Sequence, residues 1–280
     1  MKLTWLHQQD SWVLTLALMA AMLVFTEIGY LAGQRRHSCT GDTGRGHFNA
    51  VQASMLGLLA LLLGFTFNMS NVRYETRRQL VQEDANVLAA MELRSRFLPD
   101  PCGTQFRQLL RQYVAILADV AALKLGPTDD ELARRTAQGQ VLHRGMCELV
   151  RAEIQNGHVT KPLEDLVSLL SDAIAIHQKR VNAYEGRVPD VILMLLFGTA
   201  ATASTAVGYS GGLGKHRGLL AAAMLTLLVG GTVYTILDLD QPRRGLMQIE
   251  QTPVVRVKQY LDQDMQSTGL EGVPTEGASR

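Results

Sequence analysis

Four apolar stretches, each long enough to cross a bilayer as a helix, constrain this chain more than any other feature. A hydrocarbon core of roughly 30 Å takes about 20 apolar residues as helix. Four windows qualify: Ser11–Gln34, Phe48–Val72, Asp190–Tyr209 and Gly218–Leu237. The first holds one charge, Glu27, the third has one only at its first residue, and the others hold none. Unpaired backbone groups are too costly in hydrocarbon, so an open-ended span must be a helix. The first window has Lys2 upstream, as a secretory signal would. It is longer than a usual signal core, however, ends in Gln34-Arg35-Arg36 and lacks an A-x-A cleavage pattern, so it reads as a span.

The remaining sequence is charged and helical in pattern. Of 280 residues 47% are hydrophobic, but the charge is concentrated between residues 73 and 187. No proline occurs between Phe48 and Leu98, so the second span is expected to run on as one helix of about 50 residues, roughly 75 Å long. Leu98-Pro99-Asp100-Pro101 ends it, because proline removes a donor and restricts the residue before it. Three more helices follow. Thr104–Leu125 repeats Phe106, Leu109, Leu110, Tyr113, Val114 and Leu117 at helical spacing. Thr128-Asp129-Asp130-Glu131 is a capping-box pattern that opens the next, which closes near Asn156-Gly157. The last runs from about Thr160 to Glu185 with Leu163, Leu166, Val167, Leu170, Ile174 and Val181 on one face, and a bend is expected at Gly186 or Val188-Pro189.

These features predict an all-α membrane protein: four transmembrane helices with a helical cytosolic region inserted between the second and third. The divisions are a first hairpin at 11–72, a helical soluble region at 73–187 and a second hairpin at 188–237. A juxtamembrane segment at 238–266 and a disordered tail at 267–280 complete the chain. The orientation follows from Lys and Arg near the spans. Lys2, Arg73, Arg77, Arg78, Lys179, Arg180, Arg187, Arg243 and Arg244 lie on one side, nine against the five of the hairpin loops, Arg35, Arg36, Arg45, Lys215 and Arg217. Positive charge stays inside, which puts both termini in the cytoplasm.

Several function classes drop out. A net charge of +1 gives no field for nucleic acid. Cys39, Cys102 and Cys147 are odd in number and far apart, with no disulfide framework, CxxC or zinc pattern. HExxH, G-x-S-x-G, Walker A and G-x-G-x-x-G are absent, so no enzyme, cofactor or metal is called for. The seven scattered histidines read as surface or interfacial residues. Glu83-Asp84 reads as a solvated helix face or as partners of nearby arginines.

Other residues carry more weight. Glu27 is an ionisable group inside a span, which is expensive and so either functional or placed to reach the interface. On the second span Leu61, Phe65, Asn68 and Val72 share one helical face, apolar but for one amide, while Phe67 shares another with Gly64 and Asn71. Either could form an apolar constriction in a symmetric assembly, and the first is the more continuously apolar. Both also fit simple helix packing with a lipid-facing phenylalanine. Arg73, Arg77 and Arg78 follow, suited to headgroups or to gathering anions at a pore mouth. The third span is rich in small residues, from Gly198 to Gly208, which suits close helix packing first and a polar pathway wall second. After the fourth, Asp238, Asp240, Pro242, Arg243 and Gly245 read as an irregular ion-pair corner at the interface.

The same residues carry a resemblance to the bestrophin-like family of bacterial membrane proteins. The matching motifs are Glu27 with Gly29, Gly64-Phe65-Thr66-Phe67, and Arg73-Tyr74-Glu75 with Arg77-Arg78. Glu83-Asp84-Ala85-Asn86, Leu98-Pro99-Asp100-Pro101, and Asp238-Leu239-Asp240 with Pro242 and Gly245 follow in order, covering about residues 10–262. Asp84 stands where the pattern leads one to expect Glu, and no acidic calcium clasp is visible. The resemblance implies kinship with bestrophins, pentameric anion channels whose long second helix lines the pore and carries an apolar neck. The expectation is therefore a homo-oligomer in the bacterial inner membrane, in contact with lipid and passing chloride or other anions. The alternative is a non-conducting scaffold or signalling protein whose cytosolic helices bind a partner.

Overall fold

A computed structural model describes residues 11–36, 42–122, 129–186, 188–214, 217–240 and 251–270. Among these the structure is eight helices and no strand: α1 Ser11–Arg36, α2 Asp42–Ser95, α3 Cys102–Ala122, α4 Asp129–Gln155, α5 Lys161–Glu185, α6 Asp190–Leu213, α7 Leu219–Asp240 and α8 Thr252–Leu270. Helices α1, α2, α6 and α7 are long and apolar enough to cross a membrane.

The 54-residue α2 is continuous from its apolar half into its charged half. It ends at Ser95, three residues before Leu98, because its last turn tightens. Phe97 N–H bonds to Arg94 O at 3.1 Å and Leu98 N–H to Ser95 O at 3.2 Å, an i→i+3 pattern that Pro99 cannot extend. The close of α4 is at Gln155, where Gly157 takes φ 80° and His158 N–H bonds back to Glu153 O at 3.1 Å. The capping-box residue Thr128 lies outside the described residues.

Two boundaries differ from the sequence expectation. Helix α7 runs three residues past Leu237, so Asp238 and Asp240 belong to its last turn rather than to an irregular corner. An eighth helix, unforeseen, occupies 252–270 and takes in Ser267–Leu270, read from the sequence as tail. Among its described side chains the packing face is thin, Val254, Val257 and Leu261 being the buried apolar residues, which is why its pattern is faint.

The chain divides into two compact units, one of Met1–Glu75 with Gly186–Gln248 and the other of Thr76–Glu185 with Ile249–Arg280. The first has a core of Leu18 and Met22 from α1, Leu59 and Leu63 from α2, Leu193, Leu196, Ala200 and Ala203 from α6, and Val229, Val233 and Ile236 from α7. Within it α1 and α6 approach backbone to backbone. A Cβ on Gly29 or Gly33 would strike the carbonyls of Thr205 and Tyr209, and one on Gly208 or Gly212 those of Thr26 and Tyr30. Two small-xxx-small pairs thus face each other, the close packing that lipid-embedded helices use. The second unit buries Leu88 and Met91 of α2, Phe106, Leu110 and Val114 of α3, Met146 of α4, Leu166 of α5 and Val254 of α8.

Candidate functional site

In the membrane-helix unit, α2 turns one stripe inward. Leu59, Leu63, Thr66 and Ser70 are buried, spaced to fall on one side of the helix. Leu61, Phe65, Asn68 and Val72 lie on the opposite side by the same periodicity. All four are exposed, Phe65 at 64%. The rival face, Gly64, Phe67 and Asn71, flanks the stripe and is exposed too, Phe67 at 40%. Both faces are thus exposed on the single chain. Asn68 and Asn71 are exposed amides near the end of the apolar part of α2.

The end of α7 meets the start of α6. The N-cap of α6 is Pro189, which supplies no side-chain cap. Asp240, 4% exposed, fills that place from α7: both its carboxylate oxygens accept the Val188 N–H, Oδ1 at 3.1 Å and Oδ2 at 3.0 Å. A carboxylate is unfavourable at its own helix's C-terminus and favourable at another's N-terminus. Arg73 Nη1 stands 4.0 Å from Asp240 Oδ1 and supplies the countercharge. Asp238 is buried beside it in sequence, at 3%. Pro242, Arg243 and Gly245 lie outside the described residues.

The three arginines after the second span separate. Arg73 is the one at Asp240. Arg77 is 2% exposed and donates from Nε to the Ala183 carbonyl at 3.0 Å. That corrects its assignment to headgroups or a pore mouth, since a guanidinium so deeply buried meets neither. Arg78 is exposed. Glu27 is paired with Arg217, Oε1 to Nη2 at 3.5 Å, with both side chains about half exposed, at 47% and 57%. Arg217 also lies over the Tyr30 ring, 5.0 Å from its centroid.

The second unit holds a polar cluster that sequence reading missed. Asp84 is 0% exposed and accepts a short charge-assisted hydrogen bond from Arg180, which corrects the solvated-face reading for this residue. Burial pushes the Asp84 carboxyl up from its ordinary value while Arg180 pulls it back. The guanidinium keeps its proton in any protein environment and favours the carboxylate form against that upward push. Beside it Tyr113 Oη lies 3.3 Å from His177 Nδ1. The Tyr113 ring packs 4.4 Å from that of His143, and the two imidazoles are 5.6 Å apart, edge to face. His143 is 6% exposed, a core residue rather than a surface one. Burial, then His177, push its pKa down to about 4. Burial, then Arg180, lower that of His177, and burial raises that of Tyr113. Nothing within any one helix announces this cluster, because Asp84, Tyr113, His143 and His177 come from four different helices. No group of three metal-ligating side chains stands within reach of one ion among the described residues.

Among the described residues there are eight helices, four of them long and apolar enough to cross a bilayer, as in a helical membrane protein. Residues 14–254 match the bestrophin-like domain, and the chain belongs to that family. No curated protein matches it in sequence. It is similar to a solved crystal structure described as a membrane protein carrying a glycine-to-alanine substitution, with a TM-score of 0.64 over 89% of this chain and 98% of that one at 12% identity. At that identity the likeness is one of fold.

Proposed function

We propose that this protein is a homo-oligomeric anion channel of the bacterial inner membrane, with both termini in the cytoplasm and α2 lining a central pathway. The observation that carries the reading is the Leu61–Phe65–Asn68–Val72 stripe. It faces away from the helices of its own protomer and sets an amide in an apolar span, where lipid would leave it unsatisfied. A ring of such stripes from several copies covers the exposed phenylalanines and gives Asn68 neighbours or water. Phe65 is the narrowest point, an apolar constriction that excludes ions by staying dry. Arg78, exposed just beyond, raises the local anion concentration, with Arg73 held at Asp240 as a fixed charge. The protein acts without enzymatic chemistry or a cofactor.

The test is halide efflux from vesicles containing the purified full chain, with its oligomeric mass measured in parallel. Halide flux from a symmetric oligomer supports the proposal. A well-folded monomer, or an oligomer without flux, overturns it and leaves the non-conducting scaffold. That reading has its own support in apolar side chains exposed on the second unit, Ile154 at 43% and Val159 at 54%.

A further inference from the structure

Four helices of the second unit converge on groups that can accept a proton and whose buried polar atoms lack partners. Asp84 comes from α2, Tyr113 from α3, His143 from α4, and His177 and Arg180 from α5. Tyr184, also on α5, adds its field at Arg180. Asp84 Oδ1, His143 Nε2 and His177 Nε2 are all buried without a hydrogen-bond partner. Two open grooves of this unit lie elsewhere, one lined by Glu83, Asn86, Asp172 and Lys179, the other by Ile154, Val159 and Leu163. The imidazoles pack against Tyr113 and each other. A proton taken up by one places a cation beside its neighbour and near Arg180, with Asp84 already engaged as the one acidic group in the cluster.

The helix with most to lose is α4. Its buried face is narrow: Gly139, His143, Met146 and Val150, one above the next. A Cβ at Gly139 would sit 3.3 Å from Tyr113 Cε2, so Gly139 and His143 together grip the tyrosine ring. The opposite side carries exposed residues, Val141 at 64% among them. Segments with few buried contacts are the ones that open locally at lowest cost.

We propose that the His143–His177 pair is an acid-responsive switch, and that protonating it lifts α4 off Tyr113 and opens its packing on α3 and α5. In the closed state both imidazoles are neutral. Opening lets water reach the rings, which then titrate near the ordinary histidine value. The proton thus binds the open state better and shifts the population toward it. The depressed value of His143 agrees in direction. The closed state keeps its full advantage above the ordinary histidine pKa and loses it as the pH falls toward 4. This inference stands whether or not the protein conducts.

Hydrogen–deuterium exchange on the full chain in lipid nanodiscs, corrected for intrinsic rates, tests it. Protection of peptides within residues 134–150 should fall about tenfold or more between pH 7.5 and pH 5, while α8 peptides change little. His143→Gln keeps a polar side chain that takes no proton, and should remove most of that dependence. His177→Gln is the second variant should the first fold poorly, and it should weaken the dependence in the same way. Protection of α4 that is flat across this range overturns the switch, as does an unaltered pH dependence in a folded His143→Gln or His177→Gln protein.

Discussion

Asp240 and Val188 are joined by a carboxylate that commits both oxygens to one backbone N–H, at 3.1 and 3.0 Å. The bond crosses from the last residue of α7 to the residue before Pro189, so it fixes how the chain enters α6. A hydrogen bond to a charged group contributes about 1.5–3 kcal/mol, and the Val188 N–H would be left buried without it. Asp240→Ala should cost about that much and lower the unfolding temperature in detergent. Asp240→Asn keeps an acceptor and should lose less. Equal melting of Asp240→Ala and the parent would show that water replaces the carboxylate at little cost.

The α1–α6 contact makes a sharper demand. A Cβ at Gly208 would collide with the Thr26 carbonyl, which is backbone and cannot swing aside. Gly198, on the same helix, has nothing within 4 Å of its added Cβ. Gly208→Ala should therefore force the helices apart and lower stability and yield. Gly198→Ala should be neutral or slightly stabilising, since alanine is the better helix former. Similar melting of the two variants would mean that α1 and α6 are not in backbone contact in the membrane.

The buried pair Asp84–Arg180 should show the asymmetry of such bridges. Arg180→Met leaves an uncompensated carboxylate at a fully buried position and should cost about 3–5 kcal/mol. Replacing both partners, Asp84→Leu with Arg180→Met, removes the desolvated charges together and should recover most of the loss. A double variant no more stable than the single would place the main cost in packing rather than charge.

What the sequence disclosed, and what it did not, divides along one physical line. The spans were readable because hydrocarbon demands about 20 apolar residues from a single stretch of chain. The continuity of α2 and the close of α4 just before Gly157 were readable because proline and glycine act on their immediate neighbours. Features that need two stretches to meet were not. Arg180 lies 96 residues from Asp84, so the nearby arginines looked like its natural partners. His143 and His177 stand singly on their helices, and a single histidine has no periodicity. Gly29-xxx-Gly33 and Gly208-xxx-Gly212 are visible as spacings, but only the structure shows that each faces the other. Arg77 belonged by sequence to a basic cluster, and its burial against the Ala183 carbonyl depends on α5.

The proposal for α2 separates two phenylalanines two residues apart. Phe65 lies opposite the buried Leu59–Leu63–Thr66–Ser70 stripe, and Phe67 lies on its flank. In a ring of protomers the residue directly opposite the packed face points to the axis, and one on the flank points toward the next protomer. An apolar ring blocks ions because a narrow unwetted segment cannot replace their hydration, so truncating it widens and wets the segment. Phe65→Ala should raise halide efflux from vesicles, with the oligomer intact. Phe67→Ala should leave efflux near the parental level and weaken the assembly, seen as a lower oligomer fraction in detergent. If Phe67→Ala opens the pathway and Phe65→Ala does not, the face of Gly64 and Asn71 lines it, and the protomers are turned about α2 relative to this assignment. Should both variants remain silent in a folded oligomer that itself passes no halide, the exposed face of α2 is a contact between copies and the channel reading falls.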